Sequence, residues 1–167
     1  MSEPTIEDYY VEDRTFPPSA DFIKNAVVSD QTHYEEATKD YEGFWARQAR
    51  ELISWDEDFH TTLEWNLPYA KWFLGGKLNV SYNCLDRHVE AGYGDRIAYF
   101  WEGEPGDTRE ISYSELLEEV SRFANVLKEL GLKKGDRIAI YMPMIPELPV
   151  AMLACTRIGV AHSFIFG

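Results

Sequence analysis

Between Arg137 and Phe166 the sequence leaves few folds open. Arg137 to Tyr141, RIAIY, is an apolar run of strand length, and Val160 to Phe166, VAHSFIF, is a second. Pro146 to Ile158 lies between them with helical spacing, and Gly159 supplies the stop that a residue without Cβ gives most readily. Strand, helix, strand predicts a parallel pair, because only a crossover, normally right-handed, brings a strand back alongside in the same direction. Parallel sheets carry helices on both faces, so this segment predicts α/β architecture. Two strands alone leave an edge and a face uncovered, which is an aggregation liability. The chain ends at Phe164-Ile165-Phe166-Gly167, directly after the apolar strand, and reads as the beginning of a larger protein whose large domain is incomplete here.

Upstream, Ser112 and Glu115 have capping-box spacing, and Leu116, Val120, Phe123, Leu127 and Leu130 draw one apolar stripe ended by Gly131. Ile97 to Trp101 and Arg109 to Tyr113 predict a hairpin joined by the turn-rich GEPGD at Gly103 to Asp107. Tyr34, Tyr41, Phe44, Trp45, Gln48, Leu52 and Ile53 predict a helix from about Asp30 to Ser54, interrupted or bent near Gly43. The run from Trp65 to Leu74 surrounds a proline and fits neither a 3.6 nor a 2.0 period, so it predicts an irregular, aromatic-rich wrap. After Gly75-Gly76, Asn79 or Ser81 can cap a short helix carrying Cys84, Leu85, His88 and Val89, with Gly92 as its stop.

The 167 residues suggest one domain, and 45% hydrophobic with 14% aromatic residues can fill a sizeable core. Net charge is −13, so diffuse repulsion opposes binding to nucleic acid or an anionic membrane. Part of the acidity lies in Glu3, Glu7, Asp8, Glu12 and Asp13, which predict a solvated arm over residues 1–30. No basic stretch precedes an apolar one at the N-terminus, and no run approaches the roughly 20 apolar residues that cross a bilayer. A soluble, cytoplasmic protein is expected. Cys84 and Cys155 make no disulfide framework, and both read as small, reduced thiols in apolar helical settings.

Residues able to carry chemistry are few. Gly75-Gly76-Lys77 lacks the glycine spacing and the following Ser or Thr of a phosphate loop, so Lys77 reads as a surface lysine. Gly92-Tyr93-Gly94 fails the dinucleotide fingerprint, since Ile97 stands where its third glycine belongs, and reads as a turn. Cys84 and His88 lie four apart on a helix, but His33, His60 and His162 share no ligand spacing with them, and a zinc site needs three protein ligands. Asp86 beside His88 is more simply paired with its neighbour Arg87. His162 and Ser163 are adjacent on a strand and face opposite ways. Trp65, Trp72, Phe73 and Tyr82 can form a stacking platform, yet core or interdomain packing is the preferred reading. No catalytic residue and no metal site is assigned.

Taken together, WNLPYAKWFLGGKLNVSYNCLDRH (Trp65 to His88), FWARQARELISW (Phe44 to Trp55), RIAYFWEGEPGDTREISYSEL (Arg96 to Leu116) and GDRIAIYMPMIPELPVAMLACTRIGVAHSFIFG (Gly135 to Gly167) resemble the N-terminal part of the AMP-forming acetyl-CoA synthetases, within the adenylate-forming superfamily. The resemblance covers nearly everything after about Tyr34. It implies three parts: the acidic arm over 1–30, a family-specific extension over 31–92, and the truncated start of the AMP-binding domain over 93–167. It also implies an acetate–CoA ligase that uses acetate, ATP, CoA and Mg2+ and forms acetyl-adenylate on the way to acetyl-CoA. The alternatives are another short-chain acyl-CoA ligase, such as one for propionate, and a non-catalytic protein-docking module.

The family's Ser/Thr/Gly-rich phosphate loop, ribose-binding aspartate, hinge and catalytic lysine match no segment here. The isolated segment is therefore expected to be inactive, to bind none of these ligands alone and to have the remainder of the same polypeptide as its partner. Met152 to Gly167 resembles the family's first core motif. Through it, Phe166 and Gly167 are implied to lie at the tunnel for the pantetheine arm of CoA, the alternative being a strand-end core phenylalanine followed by a turn.

Overall fold

The computed structural model describes residues 15–165. In chain order the elements are α1 (Ala20–Asn25), α2 (Thr32–Lys39), α3 (Tyr41–Leu52), β1 (Thr61–Asn66) and β2 (Tyr69–Leu74), two π-helical stretches (Tyr82–Asp86 and Val89–Tyr93), β3 (Ile97–Glu102), β4 (Thr108–Ser112), α4 (Tyr113–Glu129), β5 (Arg137–Tyr141), α5 (Glu147–Arg157) and β6 (Ala161–Ile165). They divide into two compact units between Phe44 and Trp45.

In the first unit the Ser19 hydroxyl accepts from the Phe22 N–H at 3.2 Å and caps α1. Of the acidic arm expected over residues 1–30, residues 1–14, which carry its acidic side chains from Glu3 to Asp13, lie outside the described residues. The helix expected from Asp30 to Ser54, interrupted or bent near Gly43, is two helices. The break falls at Asp40, whose φ of −145° and ψ of 79° are not helical. The Asp40 carboxylate then accepts from the Gly43 N–H at 3.0 Å, and a Cβ at Gly43 would collide with that carboxylate. Gly43 is therefore where the capping side chain approaches the backbone, and the bend lies three residues earlier.

The second unit is built around α4. Ser112 and Glu115 complete the expected capping box, with the Glu115 carboxylate accepting from the Ser112 N–H at 2.9 Å and the Ser112 hydroxyl from the Glu115 N–H at 3.2 Å. Leu116, Val120, Ala124 and Leu127 are buried along one stripe, and α5 packs against it with Leu148, Val150, Ala151, Ala154 and Cys155. Leu130, expected to end the stripe, is 72% exposed. The chain reverses at Gly131 (φ 90°), where the Leu132 N–H reaches the Leu127 carbonyl at 3.1 Å, and Leu132 packs on the core instead. Gly159 (φ 73°) ends α5 in the same way, the Val160 N–H donating to the Cys155 carbonyl at 2.9 Å, and delivers buried Val160 into the core.

The mixed helix-and-strand architecture agrees with the α/β reading. β3 and β4 form the expected antiparallel hairpin, and β5 and β6 pair in parallel, Arg137 beside Ala161 through Tyr141 beside Ile165. The irregular wrap is a correction. β1 and β2 form a regular hairpin with Leu63 opposite Trp72 and Trp65 opposite Ala70. Its period is hidden because both faces carry apolar groups. Leu63, Trp65 and Trp72 share one face, while Tyr69 and Phe73 lie on the other among Glu64 and Lys71. A strand that buries neither face cleanly shows no alternation.

The β5–β6 pair is a two-stranded sheet, with Tyr141, Phe164 and Ile165 exposed at 74%, 39% and 53%. A polypeptide of these 167 residues alone should therefore self-associate through the open edges. Light scattering across a concentration series measures this; a monodisperse monomer with one sharp cooperative melt would contradict it.

Candidate functional site

The segment Asn79 to His88, where the sequence concentrates polar residues on a helix, is bound to the rest of its unit at almost every polar position. Asn79 caps the helix through Oδ1, which accepts from the Tyr82 N–H at 3.2 Å, and its Nδ2 donates to the Arg157 carbonyl at the end of α5 at 3.0 Å. Asn83 treats Ser54 as a paired partner: its Oδ1 accepts from the Ser54 N–H at 2.8 Å and its Nδ2 donates to the Ser54 carbonyl at 2.9 Å. Arg87 donates to the Leu52 carbonyl at 2.8 Å. Leu85, on the opposite side, is buried in the core beside α4. The backbone widens to π-helical bonding here, a register frequent where side chains must be re-aimed. Gly92 (φ 85°) ends the regular helical path as expected.

Asp86 is the second correction. Its partner is Arg157, seventy-one positions away, and not the adjacent Arg87. Arg157 Nη2 donates to Asp86 Oδ1 at 2.6 Å and Nη1 to Oδ2 at 2.8 Å, a bidentate pair with side chains 26% and 17% exposed. Nη1 also reaches the hydroxyl of Ser81, which is fully buried, at 3.3 Å. The guanidinium's hydrogen bonds hold the Asp86 carboxyl below the ordinary value of 3.8 against the opposing effect of burial, and the same bonds raise Arg157. Sequence spacing favoured Arg87 because it is adjacent; residues i and i+1 on a helix point apart, which was the available warning.

The other candidates are distributed as follows. His88 packs on Tyr113 with the rings tilted at 51° and their centroids 5.4 Å apart. Cys84 is exposed, contrary to the expected buried thiol, while Cys155 is buried and burial pushes its thiol pKa up. Among the described residues no group of three or more His, Cys, Asp or Glu side chains is placed to hold a metal ion. Lys77 is solvated and paired with Glu57 at 2.8 Å. Gly75 and Gly76 are close-approach glycines. A Cβ at Gly75 would lie 2.5 Å from the His60 ring and one at Gly76 2.5 Å from the Trp55 ring.

Of the supposed aromatic platform, Trp72 and Phe73 come together at 5.6 Å, and Phe73 packs on Phe59 at 4.9 Å and Trp55 at 5.7 Å. Trp65 is 60% exposed near the hairpin tip, and the Tyr82 hydroxyl donates to Glu90 at 2.8 Å. A cleft of about 680 Å³ lies beside this cluster, lined among others by Trp72, Lys77, Lys134 and Arg157. Of its cations, Lys77 is paired with Glu57 and Arg157 with Asp86. Phe166 and Gly167 lie outside the described residues, immediately after β6.

Two family models divide the sequence inside this helix. Residues 30–84 match the acetyl-coenzyme A synthetase N-terminus and residues 85–166 match the AMP-binding enzyme family. The chain belongs to the acetyl-coenzyme A synthetase family. It is 58% identical over 168 residues to the acetyl-coenzyme A synthetase of Streptomyces avermitilis, with all of this chain and 26% of that protein covered. The same-named protein of Rubrobacter xylanophilus is 57% identical over 155 residues, covering 92% of this chain and 24% of the relative. That of Mycobacterium tuberculosis is 54% identical over 169 residues, covering all of this chain and 25% of the relative. The chain thus spans about a quarter of the length of these acetyl-coenzyme A synthetases. Within it, the seam between the two family regions is one continuous helical segment. Asn79 and Ser81 on one side and Asp86 on the other all converge on Arg157.

Replacing Asp86 by Asn leaves Arg157 half-buried without a countercharge. The expected loss is roughly 2 kcal/mol, between the ~0.5 kcal/mol of an exposed pair and the ~3–5 kcal/mol of a fully buried one. Because the folded-state pKa of Asp86 is depressed, the contribution is complete above the ordinary carboxylate value of 3.8 and fades as pH falls through the folded value. Denaturant unfolding of wild type and Asp86→Asn should therefore show a constant gap from pH 5 to 8, narrowing only in acid.

Proposed function

We propose that this chain is the N-terminal part of an ATP-dependent acetate–CoA ligase and contributes scaffold, not catalytic groups. In the first half-reaction an acetate oxygen attacks the α-phosphorus of ATP, giving acetyl-adenylate and releasing pyrophosphate. In the second, the CoA thiol attacks the acyl carbon, the thiol proton is lost and AMP departs with the carbon–oxygen bonding pair. Both steps develop charge on phosphoryl or acyl oxygens and call for Mg2+ and fixed donors in a water-poor site. The identity of 58% along the whole chain with an acetyl-coenzyme A synthetase is the observation that carries this reading. The engagement of nearly every polar group of Asn79 to His88 in tertiary fastening supports the scaffold role.

In this proposal residues 31–92 are the family-specific extension, residues 93–167 begin the AMP-binding domain, and residues 1–30 are a solvated arm. The large-domain sheet is continued from the β5–β6 pair. Acetate, ATP and CoA are the substrates and the compartment is the cytoplasm. Phe166 and Gly167 line the passage for the pantetheine arm, where a flat ring beside a glycine lets the backbone approach the ligand.

Acetate-dependent exchange of pyrophosphate into ATP should be absent from a polypeptide of these 167 residues and present in a ligase carrying them; exchange above a heat-treated control by the short polypeptide would place an active site within it. In the ligase, Phe166→Ala should impair thioester formation more than adenylation, by roughly 5-fold to 150-fold for the loss of ~1–3 kcal/mol of packing. Both half-reactions are read on one folded preparation, and equal loss of both assigns Phe166 to the core.

A further inference from the structure

Two contacts hold the β3–β4 hairpin against the loop that follows β5. The Trp101 indole N–H donates to the Met144 carbonyl at 2.9 Å, and Arg109, opposite Trp101 in the hairpin, pairs with Glu147 in the first turn of α5 at 3.0 Å. Between the hairpin turn and the loop lies a groove of about 940 Å³. Trp101, Pro105, Pro143 and Met144 give it apolar walls, Met144 being 68% exposed, and Glu102, Glu104 and Asp107 stand at its rim. None of these three carboxylates has a hydrogen-bond or ion-pair partner among the described residues. They do not converge on a metal position either. Gly103 brings one of them to the ring: a Cβ there would lie 2.5 Å from Asp107 Oδ1 and 2.8 Å from the outer edge of Trp101, so a carboxylate and an indole border the same point.

We propose that this groove docks an arginine- or lysine-bearing segment from the downstream polypeptide of the ligase, which rests on the reading of this chain as the N-terminal part of such an enzyme. Charge and shape name the chemistry. A long cationic side chain can lay its stem or guanidinium on Trp101 and Met144 while its head meets the Asp107 carboxylate. Carboxylates spread along a rim match cations spaced along a chain better than they match one ion. Connectivity names the source. This chain covers 26% of the Streptomyces avermitilis relative, so most of such a ligase lies outside it. β6 runs beside β5 to Ile165, which pairs with Tyr141, two residues before Pro143. A polypeptide continuing from β6 therefore sets out next to the groove, and a tethered segment meets it at a millimolar-scale effective concentration. A second copy is disfavoured, because a chain of net charge −13 repels its own kind from an acidic rim.

The test uses the complete ligase as wild type, as the double variant Glu102→Lys/Asp107→Lys and as the milder Glu104→Gln, none of which removes a side-chain bond within the described fold. Hydrogen exchange read by mass spectrometry follows residues 99–107 and 141–147 together with every downstream peptide. A carbodiimide, which joins carboxylates to amines without a spacer, is applied in parallel over a range of protein concentrations. The double variant should speed exchange at both groove segments and at one downstream segment by about 10-fold, and Glu104→Gln by less. Where the docked cation is a lysine, cross-links should run from Glu102, Glu104 or Asp107 to a lysine beyond residue 167 of the same molecule; an arginine shows in the exchange alone. Unchanged exchange at the groove in the double variant, or faster exchange there with no downstream segment moving with it, overturns the proposal. Cross-links that grow with protein concentration overturn it too and assign the face to a second copy. Acetate-dependent pyrophosphate exchange by the wild-type preparation separates the two readings. Where that activity is present and docking fails, only this inference falls; where the activity is absent, the ligase reading falls and this proposal with it.

Discussion

Two carboxylate oxygens facing two guanidinium nitrogens, at 2.6 and 2.8 Å, join residues 71 positions apart. Most of what distinguishes this segment depends on that contact. Desolvating both groups is costly, and bidentate geometry with Ser81 as a third partner offsets the cost. The result is directional in a way that apolar packing is not. A hydrophobic face tolerates sliding, whereas a planar fork accepts one orientation. The helix from Asn79 to His88 is consequently held in both position and rotation against the end of α5, with Leu85 buried beneath it.

That constraint gives the region matching the acetyl-coenzyme A synthetase N-terminus, residues 30–84, a role beyond covering surface. The helix from Asn79 to His88 is fastened upstream as well, through Asn83 to Ser54 and Arg87 to the Leu52 carbonyl. The same short helix is thus tied to the chain before the aromatic hairpin and to the parallel pair after it. Phe59 and Phe73 pack beside Trp55, closing the loop between those ties. Tertiary bonds of this kind use the side-chain amides and hydroxyls that an isolated motif would leave available for a ligand. The polar richness of the segment therefore reports fastening.

The legible parts of the fold were those in which local chemistry and burial agree. α4 carries a capping box, a single buried stripe and a glycine at its C′ position, so every level points the same way. The β3–β4 hairpin and the β5–α5–β6 unit were readable for the same reason. The β1–β2 hairpin was not, because Trp65 and Tyr69 remain exposed on opposite faces and no alternation marks a buried side. The break at Asp40 was displaced to Gly43, since glycine is the usual sign of irregularity while here it accommodates the capping carboxylate.

By itself, the sequence determined the α/β class, the helix and strand types with strong periodicity, and the membership that four ordered stretches of resemblance implied. The class and the element types follow from periodicity, capping and composition, which act over a few residues, and the membership from the resemblance alone. Tertiary structure alone decided that Asp86 belongs to Arg157, that Asn79 both caps its own helix and grips another, and that the paired glycines make room for aromatic and imidazole rings. Each is a choice among several chemically equivalent partners. Only the folded path of the chain, by placing one candidate within bonding distance and removing it from water, selects between them.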